Sequence, residues 1–370
     1  MDNFIVSARK YRPTTFASVI GQQSITTTLK NTIQNNHMAH AYLFCGPRGV
    51  GKTTCARIFA KTINCQNLTN NTEPCNECES CVAFDKERSY NIHELDAASN
   101  NTVDDIRNLI EQVRIPPQLG KYSVYIIDEV HMLSTSAFNA FLKTLEEPPS
   151  YAIFILATTE KHKILPTILS RCQIFNFKRI TIEDTTKYLI DIAKNENVNA
   201  EQDALNIIAQ KADGAMRDAL SIFDQIVSFS GDEITYEKTI ANLNVLDYDY
   251  FFKLTDAFLN EDTPTALNLF DEILNKGFEG QFFLSGLTSH FRDVLVARDE
   301  STIKLLETSA GIKTQYIEQA KKCDHWFLFQ ALKISNNSEI EYKTSQNKRL
   351  TVEIALINLC NLITLKKKLN

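Results

Sequence analysis

The sequence predicts an α/β protein: a P-loop domain on a mostly parallel sheet with a cysteine-rich insertion, then a small helical domain and a larger all-helical one. Three observations predict it. Gly46-Pro47-Arg48-Gly49-Val50-Gly51-Lys52-Thr53 fits G-x-x-x-x-G-K-[ST] at every defined position. Strand-like and helix-like segments alternate through the first ~180 residues, the pattern of a parallel sheet covered by helices. From about Thr181 onward only helical periodicity remains. The expected boundaries are 1–178, 179–243 and 244–370, with the cysteine-rich module at about 64–82.

The elements follow in order. Ala41-Tyr42-Leu43-Phe44 reads as a short strand ahead of the loop, and Thr54 to Ile63 as a helix behind it. That context is what the motif requires. Its glycines let backbone wrap closely around phosphate oxygens, and loop N–H groups and the helix N-terminus face the anion. Lys52 reaches the outer phosphates and Thr53 can ligate Mg²⁺. Candidate nucleotide contacts are Gly46, Gly49, Val50, Gly51, Lys52, Thr53 and Thr54. The competing reading is a glycine-bearing turn with a chance lysine.

Further strands are expected at Ile92–Asp96, Ser123–Ile127, Tyr151–Thr158 and Gln173–Phe177. Val124-Tyr125-Ile126-Ile127 runs into Asp128-Glu129. A carboxylate ending a buried strand beside a phosphate loop can hold Mg²⁺ through its waters, and a second can orient the attacking water. Asp128 takes the metal role and Glu129 the water role. The next strand ends in Thr158-Thr159, where a hydroxyl can read a γ-phosphate; a strand-to-turn transition explains the pair equally well. Arg171 precedes the last strand and suits either a finger for a neighbouring subunit's site or an ordinary surface position. Gly214 ends one expected helix and Arg217 opens the next, where it can fold over phosphate or serve structure alone.

Cys65, Cys75, Cys78 and Cys81 form C-x₉-C-x₂-C-x₂-C. Four thiolates at this spacing suit tetrahedral Zn²⁺. An iron–sulfur cluster and uncomplexed thiols are the alternatives. The intervening segment is too polar and irregular for a core element, so a metal would supply its fold. The other five cysteines, Cys45, Cys55, Cys172, Cys323 and Cys360, stand in apolar context as packing residues.

In the helical part, Thr181 with Asp184 forms a capping pattern ahead of Tyr188, Leu189 and Ile192. Three stripes follow: Phe251, Leu254 and Phe258; Leu267, Phe270, Ile273 and Leu274; Leu350, Ile354, Ile357 and Cys360. Such stripes are ordinarily core, with helix-to-helix assembly the competing use. The 370 residues are 44% hydrophobic and 23% charged, the profile of a globular protein. A net charge of −6 excludes a uniformly basic nucleic-acid coat but allows a local basic surface. No leader opens the sequence and no apolar run approaches the roughly 18–20 residues of a membrane span, so a cytoplasmic protein is expected.

Taken together, these residues closely resemble the gamma/tau subunits of the bacterial DNA polymerase III clamp loader, an AAA+ ATPase family. The match runs from Ala8-Arg9-Lys10-Tyr11-Arg12-Pro13 through Val19-Ile20-Gly21-Gln22, the phosphate loop and the four cysteines. It continues through Asp96-Ala97-Ala98-Ser99, Asp128-Glu129-Val130-His131, the segment Phe138 to Pro149, Ala157-Thr158-Thr159, Ser170-Arg171-Cys172 and Gly214 to Leu220. The resemblance implies an AAA+ domain, a helical lid and a helical collar. It places Arg12, Pro13, Val19 and Ile20 around adenine and Thr158 or Thr159 as sensor 1. Arg171 becomes the trans-acting finger, Arg217 the sensor-2 arginine, and Lys143 faces DNA backbone. It implies ATP, Mg²⁺ and Zn²⁺ as ligands. The implied partners are delta and delta-prime subunits, further gamma/tau copies, the sliding clamp and primer-template DNA, with polymerase and helicase only through a longer tau-type tail. The implied activity is ATP hydrolysis within a holoenzyme whose overall chemistry is DNA-directed DNA polymerisation. The implied location is the bacterial replication fork.

Two departures stand out. Where some relatives carry DNA-touching basic residues, this chain has the uncharged Asn100-Asn101-Thr102. The chain also stops just after the expected collar, as a gamma-length product or a shortened tau would. The alternatives are a non-catalytic scaffold like delta-prime, which would lack phosphate-loop or acidic residues, and another AAA+ DNA motor such as a branch-migration ATPase, which would lack the four cysteines.

Overall fold

A computed structural model describes residues 6–369 apart from 87, 119, 244 and 309. The chain forms two compact units: Met1–Ile192 with Ile208–Gln225, and Ala193–Ile207 with Ile226–Asn370.

The first unit is built on five strands, β1 (Ala41–Cys45), β2 (Ile92–Asp96), β3 (Ser123–Asp128), β4 (Ala152–Thr158) and β5 (Gln173–Asn176), in the order β2-β3-β4-β1-β5. Every pairing is parallel. All five expected strands are present. Their ends agree to within one residue; at β4, Ala152 N–H donates to Pro149 O and leaves Tyr151 in the preceding turn. β1 and β4 are buried at every position, as interior parallel strands covered on both faces must be. Alternation sends Tyr42 and Phe44 to one face, with Phe59 of helix Lys52–Ile63 edge-on to Tyr42 at 5.0 Å. Leu43 goes to the other face with Ile127, Phe141 and Leu156. Register pairs Cys45 with Thr158 and Ile127 with Leu156. The C-terminal ends of β1, β4 and β3 therefore lie side by side, where ligands bind in open α/β sheets.

Helix Ile182–Asn195 begins as expected. The Thr181 hydroxyl donates to Asp184 Oδ2 at 2.8 Å and accepts from Asp184 N–H at 3.1 Å. Gly214, at φ +77°, separates helices Gln202–Lys211 and Met216–Ser230.

The second unit carries helices including Tyr248–Leu259, Thr263–Asn275, Gly280–Val296, His325–Thr344 and Lys348–Cys360. Phe251, Leu254, Phe258, Phe270 and Ile273 are buried in one apolar core, with Leu267 and Leu274 half-buried against it. The third stripe departs from expectation. Cys360 is buried, but Leu350, Ile354 and Ile357 are 47%, 48% and 38% exposed. Val352, Ala355, Leu356 and Leu359 fill the core instead. This helix is apolar on two faces, so periodicity alone had two solutions and the stripe containing Ile354 is the outer one.

Among the described residues, no helix is long and apolar enough to cross a membrane.

Candidate nucleotide site and metal centre

The phosphate loop leaves β1 through Gly46, at φ +153°, where a Cβ would lie 2.6 Å from the Phe177 carbonyl oxygen. Gly49, at φ +76°, passes so close to Ala215 that a Cβ would meet that methyl at 2.9 Å. Only glycine fits either place. Lys52 opens helix Lys52–Ile63 and is buried. Its ammonium donates to the carbonyls of Gly46 and Pro47, both at 2.8 Å, and so sits in the hollow of its own loop. Burial draws its pKa down, against the opposing pull of Glu129 and Asp128.

Facing the loop, β3 delivers the two acids. The Thr53 hydroxyl donates to Asp128 Oδ2 at 2.6 Å, while Asp128 Oδ1 accepts from Glu129 N–H at 2.9 Å. Glu129 adopts φ +46° and ψ 44°, a left-handed conformation that costs a non-glycine residue about 1–3 kcal/mol. The turn redirects the chain away from the strand, and the carboxylate accepts from Thr159 N–H at 3.2 Å and Thr159 Oγ1 at 3.0 Å. Thr158, next to it, is fully buried, and its hydroxyl lies 3.1 Å from His131 Nδ1. His131 had no assigned role in the sequence, yet its ring lies 3.3 Å from Glu129 and, at Nε2, 3.1 Å from Glu160. The Asp-Glu-x-His spacing was the available signal.

Loop and acids open onto a cavity of about 1070 Å³. Arg12, Pro13, Val19 and Ile20 line it, as do Gly49 to Thr54, Asp128, Glu129 and Arg217. Among the described residues its charged lining is five cations (Arg9, Arg12, Arg48, Lys52, Arg217) against three acids (Asp96, Asp128, Glu129). That balance suits a polyanion carrying a divalent cation. Burial, then repulsion from Arg57 and Arg217, lowers the Arg12 pKa. Arg217 N–H points at the Gly49 carbonyl at 3.5 Å, which brings helix Met216–Ser230 to the phosphate loop. Met216 and Leu220 of that helix, and Tyr188, also line the cavity; the sequence did not single them out for this. Met216, Arg217 and Leu220 share one helical face, so fixing Arg217 would have found its neighbours.

Arg171 and Lys143 are not among the cavity's lining residues. Arg171 Nη2 pairs with Glu146 at 2.7 Å and Nη1 donates to Thr167 O at 2.7 Å. Lys143 is exposed on the same helix as Glu146, Thr135–Glu146.

The four cysteines converge. The sulfurs of Cys65, Cys75, Cys78 and Cys81 all lie within 4.8 Å of one another. Ligands at about 2.3 Å on a tetrahedral zinc stand roughly 3.8 Å apart, so the cluster fits that ion. Cys75 N–H donates to Cys65 Sγ at 3.3 Å and Cys78 N–H to Cys75 Sγ at 3.2 Å, the outer-shell bonds that stabilise metal thiolates. The backbone N–H groups of Glu77 and Cys78 lower the Cys75 pKa to about 6. Of the remaining cysteines, Cys45, Cys55, Cys323 and Cys360 are buried as expected and Cys172 is half-buried.

Residues 21–181 match the family model described as DNA polymerase III, delta subunit. Residues 184–232 match the DNA polymerase III clamp loader subunit ATPase lid domain, and residues 234–370 match DNA polymerase III subunits gamma and tau domain III. The chain is 34% identical to the DNA polymerase III subunit gamma of Buchnera aphidicola subsp. Baizongia pistaciae, over 98% of both chains. The chain belongs to the DNA polymerase III gamma/tau family. Its identity to the subunit tau of Bacillus subtilis is 41% over 95% of this chain, and to that of Escherichia coli 37% over 96%. It spans 62% and 55% of those two relatives. Among solved structures, the Thermotoga maritima RuvB Holliday junction branch migration motor aligns at 18% identity and a TM-score of 0.47, over 67% of this chain and 79% of that one. That likeness is too loose to carry weight. The phosphate loop, the Asp-Glu pair and the cysteine cluster all lie within the first matched region, residues 21–181.

Proposed function

We propose that the chain is an ATP-driven motor subunit of a bacterial, cytoplasmic DNA polymerase III clamp loader that places a sliding clamp on primed DNA. The observation that carries this reading is the 2.6 Å contact between Thr53 and Asp128, which closes the phosphate loop onto the strand-end acid. These two side chains would hold Mg²⁺, which when bound neutralises charge on the outer phosphates. Lys52 would give up its bonds to Gly46 and Pro47 for phosphate oxygens. Glu129 would orient the water that attacks the γ-phosphorus and accept its proton as the bond to the bridging oxygen breaks. Thr159, already bonded to Glu129, is the better sensor-1 candidate, because Thr158 is fully buried. Arg12, Pro13, Val19 and Ile20 would enclose adenine, and Arg217 would couple phosphate to the lid helix.

Arg171 does not line its own chain's cavity, which supports its use in a neighbouring subunit's site, and exposed Lys143 is available to DNA backbone. We divide the chain into an ATPase domain at 1–178, a lid at 179–243 and a collar at 244–370. The exposed stripe of Leu350, Ile354 and Ile357 suits assembly of that collar with delta, delta-prime or further gamma/tau copies. Four cysteines around Zn²⁺ would complete the ATPase domain. Polymerisation belongs to the holoenzyme; the activity proposed for this chain is ATP hydrolysis. A delta-prime-like scaffold is disfavoured because Lys52, Thr53, Asp128 and Glu129 are all present and grouped.

The test is ATP hydrolysis measured as sliding clamp, partner subunits and primed DNA are added stepwise, with nucleotide binding measured alongside. The native chain is expected to bind ATP and Lys52→Ala to lose at least ~100-fold in affinity or turnover. A native chain that binds no ATP would overturn the motor reading.

A further inference from the structure

The cysteine module is fastened to the rest of the ATPase unit at two places. Its helix, Glu79–Asp85, docks on the phosphate-loop helix: Asp85 pairs with the buried Lys61 at 2.7 Å, and the Arg57 guanidinium lies 4.8 Å from the Phe84 ring. The second fastening is less expected. Between Cys65 and Cys75 the loop turns tightly, with Thr69 N–H donating to Glu73 O, Thr72 N–H to Thr69 O, and Glu73 N–H to Thr69 Oγ1, each at 3.0 Å. The turn directs Glu73, 8% exposed, into the protein. Its carboxylate accepts from Phe16 N–H at 2.7 Å and Ala17 N–H at 2.9 Å, and pairs with Lys30 at 2.6 Å. Thr72 adds a bond, accepting from Gln34 Nε2 at 2.6 Å.

Those two amides begin a short 3₁₀ turn, Phe16–Ser18. It leads directly into Val19 and Ile20 of the cavity wall, and Arg12 and Pro13 lie just upstream. Phe16 itself is buried in the core beside the sheet. The other end of this strap is held too: Ser7 N–H donates to Asp224 at 2.7 Å, and the Tyr188 phenol Oη–H donates to Tyr11 O at 3.0 Å. The segment that walls the base is thus stretched between the lid helices and one carboxylate of the cysteine module.

We propose that Glu73 is a positioning residue for nucleotide binding, through which the metal-held cysteine loop fixes the wall that recognises the base. Two N–H groups and an ammonium converge on one buried carboxylate, which makes these charge-assisted bonds of the strong kind. Glu73 stands two residues before Cys75, so a loop released from its metal no longer holds that carboxylate in place. The base wall then loses its anchor while the phosphate loop, built on β1 and helix Lys52–Ile63, keeps its own. Metal occupancy would therefore set affinity for the base end of the ligand and leave the phosphate end untouched.

The inference rests on the nucleotide reading of the cavity, and its test separates the two. A fluorescent ATP analogue is titrated into metal-loaded native chain, Glu73→Gln and Lys30→Met, with ATP, GTP and tripolyphosphate as competitors. Bound zinc is counted with a chelating dye, and amide exchange is followed at Phe16 and Ala17. Glu73→Gln is expected to keep its zinc, exchange faster at both amides, and lose roughly tenfold in ATP affinity and its preference for ATP over GTP, with tripolyphosphate unchanged. Lys30→Met, which leaves both N–H bonds, moves the same readouts less. Removing metal from the native chain reproduces the Glu73→Gln pattern. Folded, zinc-loaded Glu73→Gln with native exchange and native ATP affinity would overturn the proposal. So would an equal loss of ATP and tripolyphosphate binding. A native chain that binds no ATP refutes the nucleotide reading itself.

Discussion

Glu129 illustrates how a single residue joins backbone strain to chemistry. Its left-handed conformation is unfavourable in isolation, yet it turns the carboxylate toward Thr159, just past the C-terminal end of β4. Glu129→Gln keeps this geometry and removes the proposed proton acceptor. Nucleotide binding should survive while hydrolysis falls by about 10²–10⁴-fold, measured by single-turnover assay in the assembled complex. Hydrolysis within a few-fold of native would contradict its role as base. The phosphate loop, the acid pair and the four converging cysteines were legible in the sequence because each needs particular residue types at fixed spacing. His131 and Glu73 were not. His131 is near Glu129 in sequence, but its other partners, Thr158 and Glu160, lie at the end of β4, and no local pattern reveals that a carboxylate in a polar loop will meet two amides 56 and 57 positions earlier.

Among the elements, helix Lys348–Cys360 shows where periodicity stops being decisive. Its sequence carries apolar residues on two faces, and only packing against the other helices decides which goes inside. The outer face yields a clear expectation. Ile354→Glu should change folding stability by no more than about 0.5 kcal/mol, since the side chain is half exposed. It should nevertheless weaken association with other clamp-loader subunits, as read by sedimentation; undiminished assembly would remove this stripe from the interface. In the same unit, helix Gly280–Val296 buries His290 completely, with Nδ1 3.2 Å from the Tyr316 hydroxyl and Nε2 2.9 Å from Gln319 Oε1. Burial drives its pKa down to about 3. An unfolded histidine takes its proton near pH ~6.5, so between these values the unfolded chain binds the extra proton and stability falls as pH falls. At pH 5 the loss is roughly 2 kcal/mol relative to neutral pH. Urea unfolding at both pH values, in the native chain and His290→Gln, isolates the term: the native chain should lose that much more. Equal losses would contradict it.

Across the whole molecule, the parallel sheet and the change to helical periodicity near Thr181 were predictable from pattern, because alternating strands and helices leave few workable topologies. Under the proposed function, what the chain does with its site depends on other chains, and Arg171 would carry that dependence. Arg171 is held by Glu146 and the Thr167 carbonyl and does not line the cavity of its own chain. A site whose charge-stabilising finger comes from a neighbour stays slow until the assembly forms, which would tie hydrolysis to clamp and DNA. The most direct measurement is steady-state ATP hydrolysis by the complex of partner subunits, clamp and primed DNA, comparing native chain with Arg171→Ala, alongside ATP binding by each isolated chain. The predicted result is unchanged binding with a loss of stimulated turnover of at least about 10³-fold. Native turnover in the Arg171→Ala complex would contradict it.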